Sequence, residues 1–125
     1  MAKSLISVII VAAMFTAGAI FEQVYLKRTF SDLKTHFTSI YEKLEDETAT
    51  EEDAEKIQDY WISKKRTLHS FISHNDLKEF DLWIAEAVAY VKLNDYKEAK
   101  TKIEVAIELT EQIPMGYFPR FENIF

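Results

Sequence analysis

"FSDLKTHFTSIYEKL", residues 30–44, decides the architecture. Its apolar positions Phe30, Leu33, Phe37, Ile40 and Leu44 step by 3, 4, 3 and 4. That spacing lays one stripe along one face of an α-helix; a strand, with its period of two, does not reproduce it. The rest of the chain keeps the same character. Between Gly18 and Pro114 stand 95 consecutive residues with neither glycine nor proline. The turns of a sheet draw on both residues, so the chain is expected to be all-α.

Downstream, "EDETATEED" (Glu45 to Asp53) interrupts the stripe. Thr48 or Thr50 is placed to cap the next helix, with acids in its first turn. The second helix then points Ala54, Ile57, Trp61, Leu68, Phe71 and Ile72 inward. "SHND" (Ser73 to Asp76) supplies the next break, with Asn75 as the expected N-cap. A third helix follows with Leu77, Phe80, Ile84, Ala87, Val88 and Val91 on one face. "LNDYKEA" (Leu93 to Ala99) reads as a tight connection. The fourth helix buries Ala99, Ile103, Ala106, Ile107 and Thr110 and is expected to stop before Pro114. The sum is an antiparallel bundle of about four helices.

Upstream, "LISVIIVAAMFTAGAIF" (Leu5 to Phe21) runs for 17 residues without a charge. At 1.5 Å per residue it spans roughly 26 Å, near the lower limit for crossing a bilayer. We read residues 1–23 as a transmembrane anchor whose helix continues past Glu22 and Gln23 into the stripe above. The alternative is a cleaved signal peptide, with Lys3 as its basic start and "AGA" (Ala17 to Ala19) as an A-x-A site. A buried core helix is the third option, but Val, Ile and Ala on every face are hard to bury in so small a domain. Lys3 before the segment and Lys27 and Arg28 after it do little to fix its orientation.

Composition narrows the functional classes. The 125 residues suffice for one domain, 24–125, after the apolar segment. Leaving out residues 1–21 leaves 14 bases against 21 acids, a formal charge of −7. Such a balance opposes a phosphate backbone, so no nucleic-acid partner is expected, and it makes anionic lipid a poor main anchor. There is no cysteine, which removes thiolate metal sites, disulfides and a lipid-modified N-terminal cysteine.

Chemistry-bearing motifs are sparse. With Gly18 and Gly116 as the only glycines, no loop can cradle a phosphate. His69 and His74 are five residues apart, off a shared helix face, and a zinc site would need both plus Asp76 or Glu79. The six acids of Glu45 to Asp53 lack the alternating ligands and central glycine of a calcium loop. Glu104, Glu108 and Glu111 share one face and read as solvated, as does "KKR" (Lys64 to Arg66). No catalytic residue, cofactor, metal or small-molecule ligand is expected. Trp61 belongs to the core. Trp83 lies one position off the third helix's stripe, so half exposure is expected there, and an exposed tryptophan would mark a contact surface. The closing "GYFPRFENIF" is too apolar for a loose tail and is expected to dock between helices. Burying one Phe is worth roughly 1.5–3 kcal/mol. Trp83, His74, Phe121 and Phe125 are the candidate interaction residues.

Two resemblances follow from these residues. "YVKLNDYKEAKTKIEVAIEL" (Tyr90 to Leu109) is similar to the centre of a tetratricopeptide repeat, where a short turn and a small Ala let two helices pack closely. "TEEDAEKI" (Thr50 to Ile57) is a fainter echo of it, and two such hairpins are too few for a solenoid groove. The order of apolar segment, "FISHND" (Phe71 to Asp76), "LNDYKEA" and "ENIF" (Glu122 to Phe125) resembles domain-of-unknown-function family DUF4363. The resemblance implies a small bacterial protein with an N-terminal membrane segment and an extracytoplasmic helical domain, from Gram-positive spore-formers and their relatives. It also implies a gene neighbour in a small integral-membrane family, hence a membrane partner, and it carries no catalytic residues. The resulting expectation is a non-enzymatic, membrane-tethered interaction or scaffold module on the bacterial cell membrane. A secreted helical binder after signal cleavage is the alternative. A metal-dependent or acid/base enzyme using His74 and surface acids is the remote one.

Overall fold

The structure is a computed structural model that describes residues 1–115. Among them it is all-α, with α1 (Ala2–Glu45), α2 (Glu51–Leu68), α3 (His74–Lys92) and α4 (Tyr96–Met115). The expected docking of the aromatic tail, with Phe121 and Phe125, lies outside the described residues.

α1 has 44 residues and no interruption, a length of about 66 Å. Its two halves differ completely in burial. From Leu5 to Val24 the large apolar side chains are exposed. From Leu26 on, Leu26, Phe30, Leu33, Phe37, Ile40 and Leu44 are buried, which is the stripe read from the sequence with one more turn at its start. Thus one helix passes from an apolar rod into a bundle wall.

The other helices complete a ring in chain order. α1 packs on α2 and α4, and α3 packs on α2 and α4; the backbones of α1 and α3, and of α2 and α4, stay apart across the diagonals. Cross-helix pairs fix the antiparallel register. Lys43 meets Asp53, and the His36 ring lies tilted against Tyr60, between α1 and α2. Lys65 meets Asp81, and Lys92 lies near Glu51 and Glu55, between α2 and α3. Tyr41 meets Glu104 and Lys34 meets Glu111 between α1 and α4. α4 packs most closely against α3 and α1, and Ala99 and Ala106 there are fully buried. Side chains this small let backbones approach.

Phe80 of α3 closes the centre of the ring. Its ring contacts Phe30 at 6.2 Å, Phe37 at 5.8 Å and Trp61 at 4.7 Å, all edge-on. Such geometry matches the positive edge of one ring to the negative face of another. An apolar void of about 10 Å³ between Phe37, Ile57, Ile84 and Ile103 is at the lower limit for one water.

Local chemistry explains the ends. Thr50 caps α2 in a full capping box: its Oγ1 accepts from the Asp53 N–H at 3.2 Å, and the Asp53 carboxylate accepts from the Thr50 N–H at 3.0 Å. Ser73, not Asn75, caps α3, accepting from the Asp76 N–H at 3.4 Å. The helix therefore starts at His74, because the serine hydroxyl reaches the third N–H as well as an asparagine would two residues later. α1 and α3 end alike. The N–H of Thr48 bonds Lys43 O and that of Asp95 bonds Tyr90 O, with Glu47 (φ 57°) and Asn94 (φ 58°) in the left-handed region. The Asp95 carboxylate then accepts from the Glu98 N–H at the start of α4. α4 continues through Pro114 to Met115 rather than stopping before the proline. Proline's fixed φ is a helical value, so Pro114 can stay in the helix at the cost of its own bond and of crowding the carbonyl one turn earlier.

Candidate functional site

Of the residues singled out from sequence, Trp83 is half-buried, as expected. Its face is already in use. The Lys102 ammonium lies 4.9 Å from the Trp83 ring centre and 6.0 Å from that of Tyr90, and it pairs with Glu86 at 3.2 Å. The lysine stem from α4 thus covers an aromatic pair on α3, a cation–π clasp that tightens the α3–α4 seam.

His74 is exposed at the start of α3. It stands beside His69, with ring centres 5.8 Å apart and planes 22° from parallel. Helix spacing alone separates them; the turn between α2 and α3 brings them together. The pair lies on the surface, and the described residues contain no group of three His, Asp or Glu side chains placed to hold a metal ion. Glu104, Glu108 and Glu111 line the α1–α4 seam. There Glu104 accepts from the Tyr41 hydroxyl at 2.8 Å and Glu111 pairs with Lys34. The Glu104 hydrogen bond holds the Tyr41 phenol above its ordinary pKa.

Two arrangements escaped the sequence reading. The first centres on Asp81, on the flank of α3. Its Oδ1 accepts from the buried Trp61 indole N–H at 2.8 Å, and its Oδ2 accepts from Lys65 at 2.7 Å. Partial burial pushes the carboxyl up, but the hydrogen bonds from Lys65 and Trp61 outweigh it and leave the pKa below the ordinary value. The second is an aromatic ladder where the apolar half of α1 ends. Phe21 stacks on Tyr25 at 6.2 Å, and Tyr25 meets Phe71 of the α2–α3 turn at 5.9 Å. A spacing of four residues in α1 is the local signal; the contact with Phe71 has none.

The model of the family described as Domain of unknown function (DUF4363) matches residues 20–124. The chain belongs to the DUF4363 family. No curated protein and no solved structure matches it. The DUF4363 match begins as the apolar run of α1 ends, and it takes in the ladder, the histidine pair and all four helices of the ring. The most apolar part of α1 thus precedes the DUF4363 region, as a separate segment joined to it by one helix.

Proposed function

We propose that the chain is a non-enzymatic interaction or scaffold module, tethered by the first half of α1 to the bacterial cell membrane and held on its outer side beside a membrane protein. The observation that carries this reading is the unbroken helix. α1 is long and apolar enough to span a bilayer near its N-terminus, by length and composition. It enters the bundle without a hinge, so the tether and the domain move as one body. A rigid rod suits a module that must present a fixed face at a fixed height.

The partner-facing surface consists of the exposed faces of α2 and α3, where Ile62 and Leu82 are open to solvent. A second reading, a secreted helical binder, is favoured by the Ala17–Ala19 tripeptide. The first buried residue is Leu26, so cleavage after Ala19 would leave the core intact. Intact-mass measurement of the protein isolated from its native host separates the two. A mass that includes residues 1–19 in the membrane fraction supports the tether; a soluble species lacking them refutes it. Crosslinking from those membranes then reports the partner.

A further inference from the structure

We infer that the end of the bundle nearest the apolar half of α1 is a docking collar that rests in the headgroup layer and binds anionic phospholipid. The inference rests on the tethered reading and adds a surface and a ligand to it.

Depth comes first. A hydrocarbon core of about 30 Å takes roughly 20 helical residues, and the headgroup layer adds about 5–8 Å on each side. A span over Leu5 to Phe21 therefore puts the next turn of α1, with Tyr25, in that layer. Tyr25 touches Phe71, so the α2–α3 turn lies at the same height. Phe21, Tyr25 and Phe71 form a continuous aromatic contact at the level where amphipathic rings favour a membrane boundary.

Charge comes second. Around this level Lys27, Arg28, Arg66 and Lys78 are exposed, and among the described residues none of the four is in an ion pair. The exposed His69–His74 pair stands among them. Among the described residues the acids nearest this end are Glu22, Asp32, Asp76 and Glu79. At the opposite end, 20 residues or about 30 Å further along α1, Glu45 to Asp53 holds six acids and no base. Lys43, Lys92 and Lys97 also lie toward that far end, but acids outnumber them there, so the domain is acidic overall with its excess of acid away from the bilayer. Complementing helix dipoles explains the acids at the start of α2 and Arg66 at its end. It does not explain Lys27 and Arg28 within α1, or Lys78 near the positive end of α3. An anionic surface at that height does.

The cysteine-free chain makes the test direct. Full-length protein carrying Ser70→Cys in the α2–α3 turn, or Lys97→Cys at the far end, is labelled on its single thiol with an environment-sensitive fluorophore. It is then reconstituted into vesicles of phosphatidylcholine alone or with phosphatidylglycerol. The label in the α2–α3 turn should be quenched by headgroup-attached quencher on the phosphatidylglycerol vesicles, while the far-end label stays in water. Reversing Lys27, Arg28 and Arg66 to Glu, with helicity checked, should lower the docked-to-undocked ratio by about fivefold or more per base replaced. A turn label as wet as the far-end label on both vesicles overturns the collar. So does equal quenching on both vesicles that the reversals leave unchanged. Protection of the turn label in native membranes but not in vesicles assigns the surface to a protein and overturns the lipid. If the unmodified chain fails to float with vesicles, the tether itself fails, a result distinct from the others.

Discussion

Replacing Asp81 should cost far more than a surface carboxylate ordinarily does, and the cost should come from Trp61 rather than from Lys65. Trp61 is 1% exposed, and its indole N–H has Asp81 Oδ1 as its acceptor at 2.8 Å. Asp81→Ala removes that acceptor and strands a buried donor, a loss of about 1–3 kcal/mol. The Lys65–Asp81 pair is a different matter. Its side chains are 32% and 40% exposed, so solvent screens the attraction and an exposed pair of this kind is worth about 0–1 kcal/mol. Asp81→Asn keeps an oxygen for the indole and loses the charge, so it should resemble Lys65→Met.

The expected order of loss is therefore Asp81→Ala well above Asp81→Asn and Lys65→Met, which should be close together. For a domain of about 100 residues, 1 kcal/mol moves the unfolding midpoint by about 4–8 °C. Asp81→Ala should lower it by at least about 4 °C, and Lys65→Met by less than that. Thermal unfolding of the full chain in detergent micelles, followed by far-UV circular dichroism and by tryptophan emission, reads both. If Lys65→Met proves as costly as Asp81→Ala, the charge carries the contact and the reasoning from a stranded indole is wrong. If neither variant moves the midpoint, the indole finds water and the network has no structural role.

The remaining expectations concern the caps and acid. Thr50→Ala removes one arm of the capping box on α2 and should cost about 0.5–2 kcal/mol in urea unfolding, while Thr48→Ala, which lies before the capping position, should cost less. The Asp53 carboxyl is held below its ordinary pKa first by the hydrogen bond from Lys43 and then by Thr50, and Asp81 is also lowered. Both groups bind protons more weakly folded than unfolded. Their contribution is therefore complete above the unfolded carboxylate value of about 3.9 and fades as the pH falls below it. A pH series of unfolding midpoints should show that loss, and the Asp53→Asn, Asp81→Asn double variant should flatten it; an unchanged slope in the double variant would assign acid sensitivity to other groups.

What the sequence made legible was the part governed by local periodicity. Every buried residue on α3 could be read from a 3.6-residue pattern, because α3 buries one face against neighbours on both sides. Trp61 could be assigned to the core in the same way, but its acceptor could not. Asp81 is 20 residues away, and only the packing of α2 on α3 brings it near. The contact within the histidine pair was illegible for a related reason. A spacing of five argues against one helix face, yet His69 and His74 lie on either side of a turn, where helical spacing does not apply. At Ser73 and Asn75 two good capping residues competed, and one-dimensional reasoning had no means of ranking them.

The tetratricopeptide-like stretch shows how local chemistry and overall architecture separate. The turn at Leu93 to Asp95 and the buried Ala99 give α3 and α4 the close approach that such hairpins use. In a solenoid, the next hairpin would stack on this one and leave a concave face open for a ligand. Here α1 and α2 occupy the inner side instead. Phe30 and Phe37 reach across to Phe80, and the void between Phe37, Ile57, Ile84 and Ile103 is only about 10 Å³. A groove of the solenoid kind is therefore filled by the chain's own first helix, the same helix that carries the apolar run. Any recognition by this domain must use its outer faces or its ends, which α1 sets about 30 Å apart between Tyr25 and Glu45.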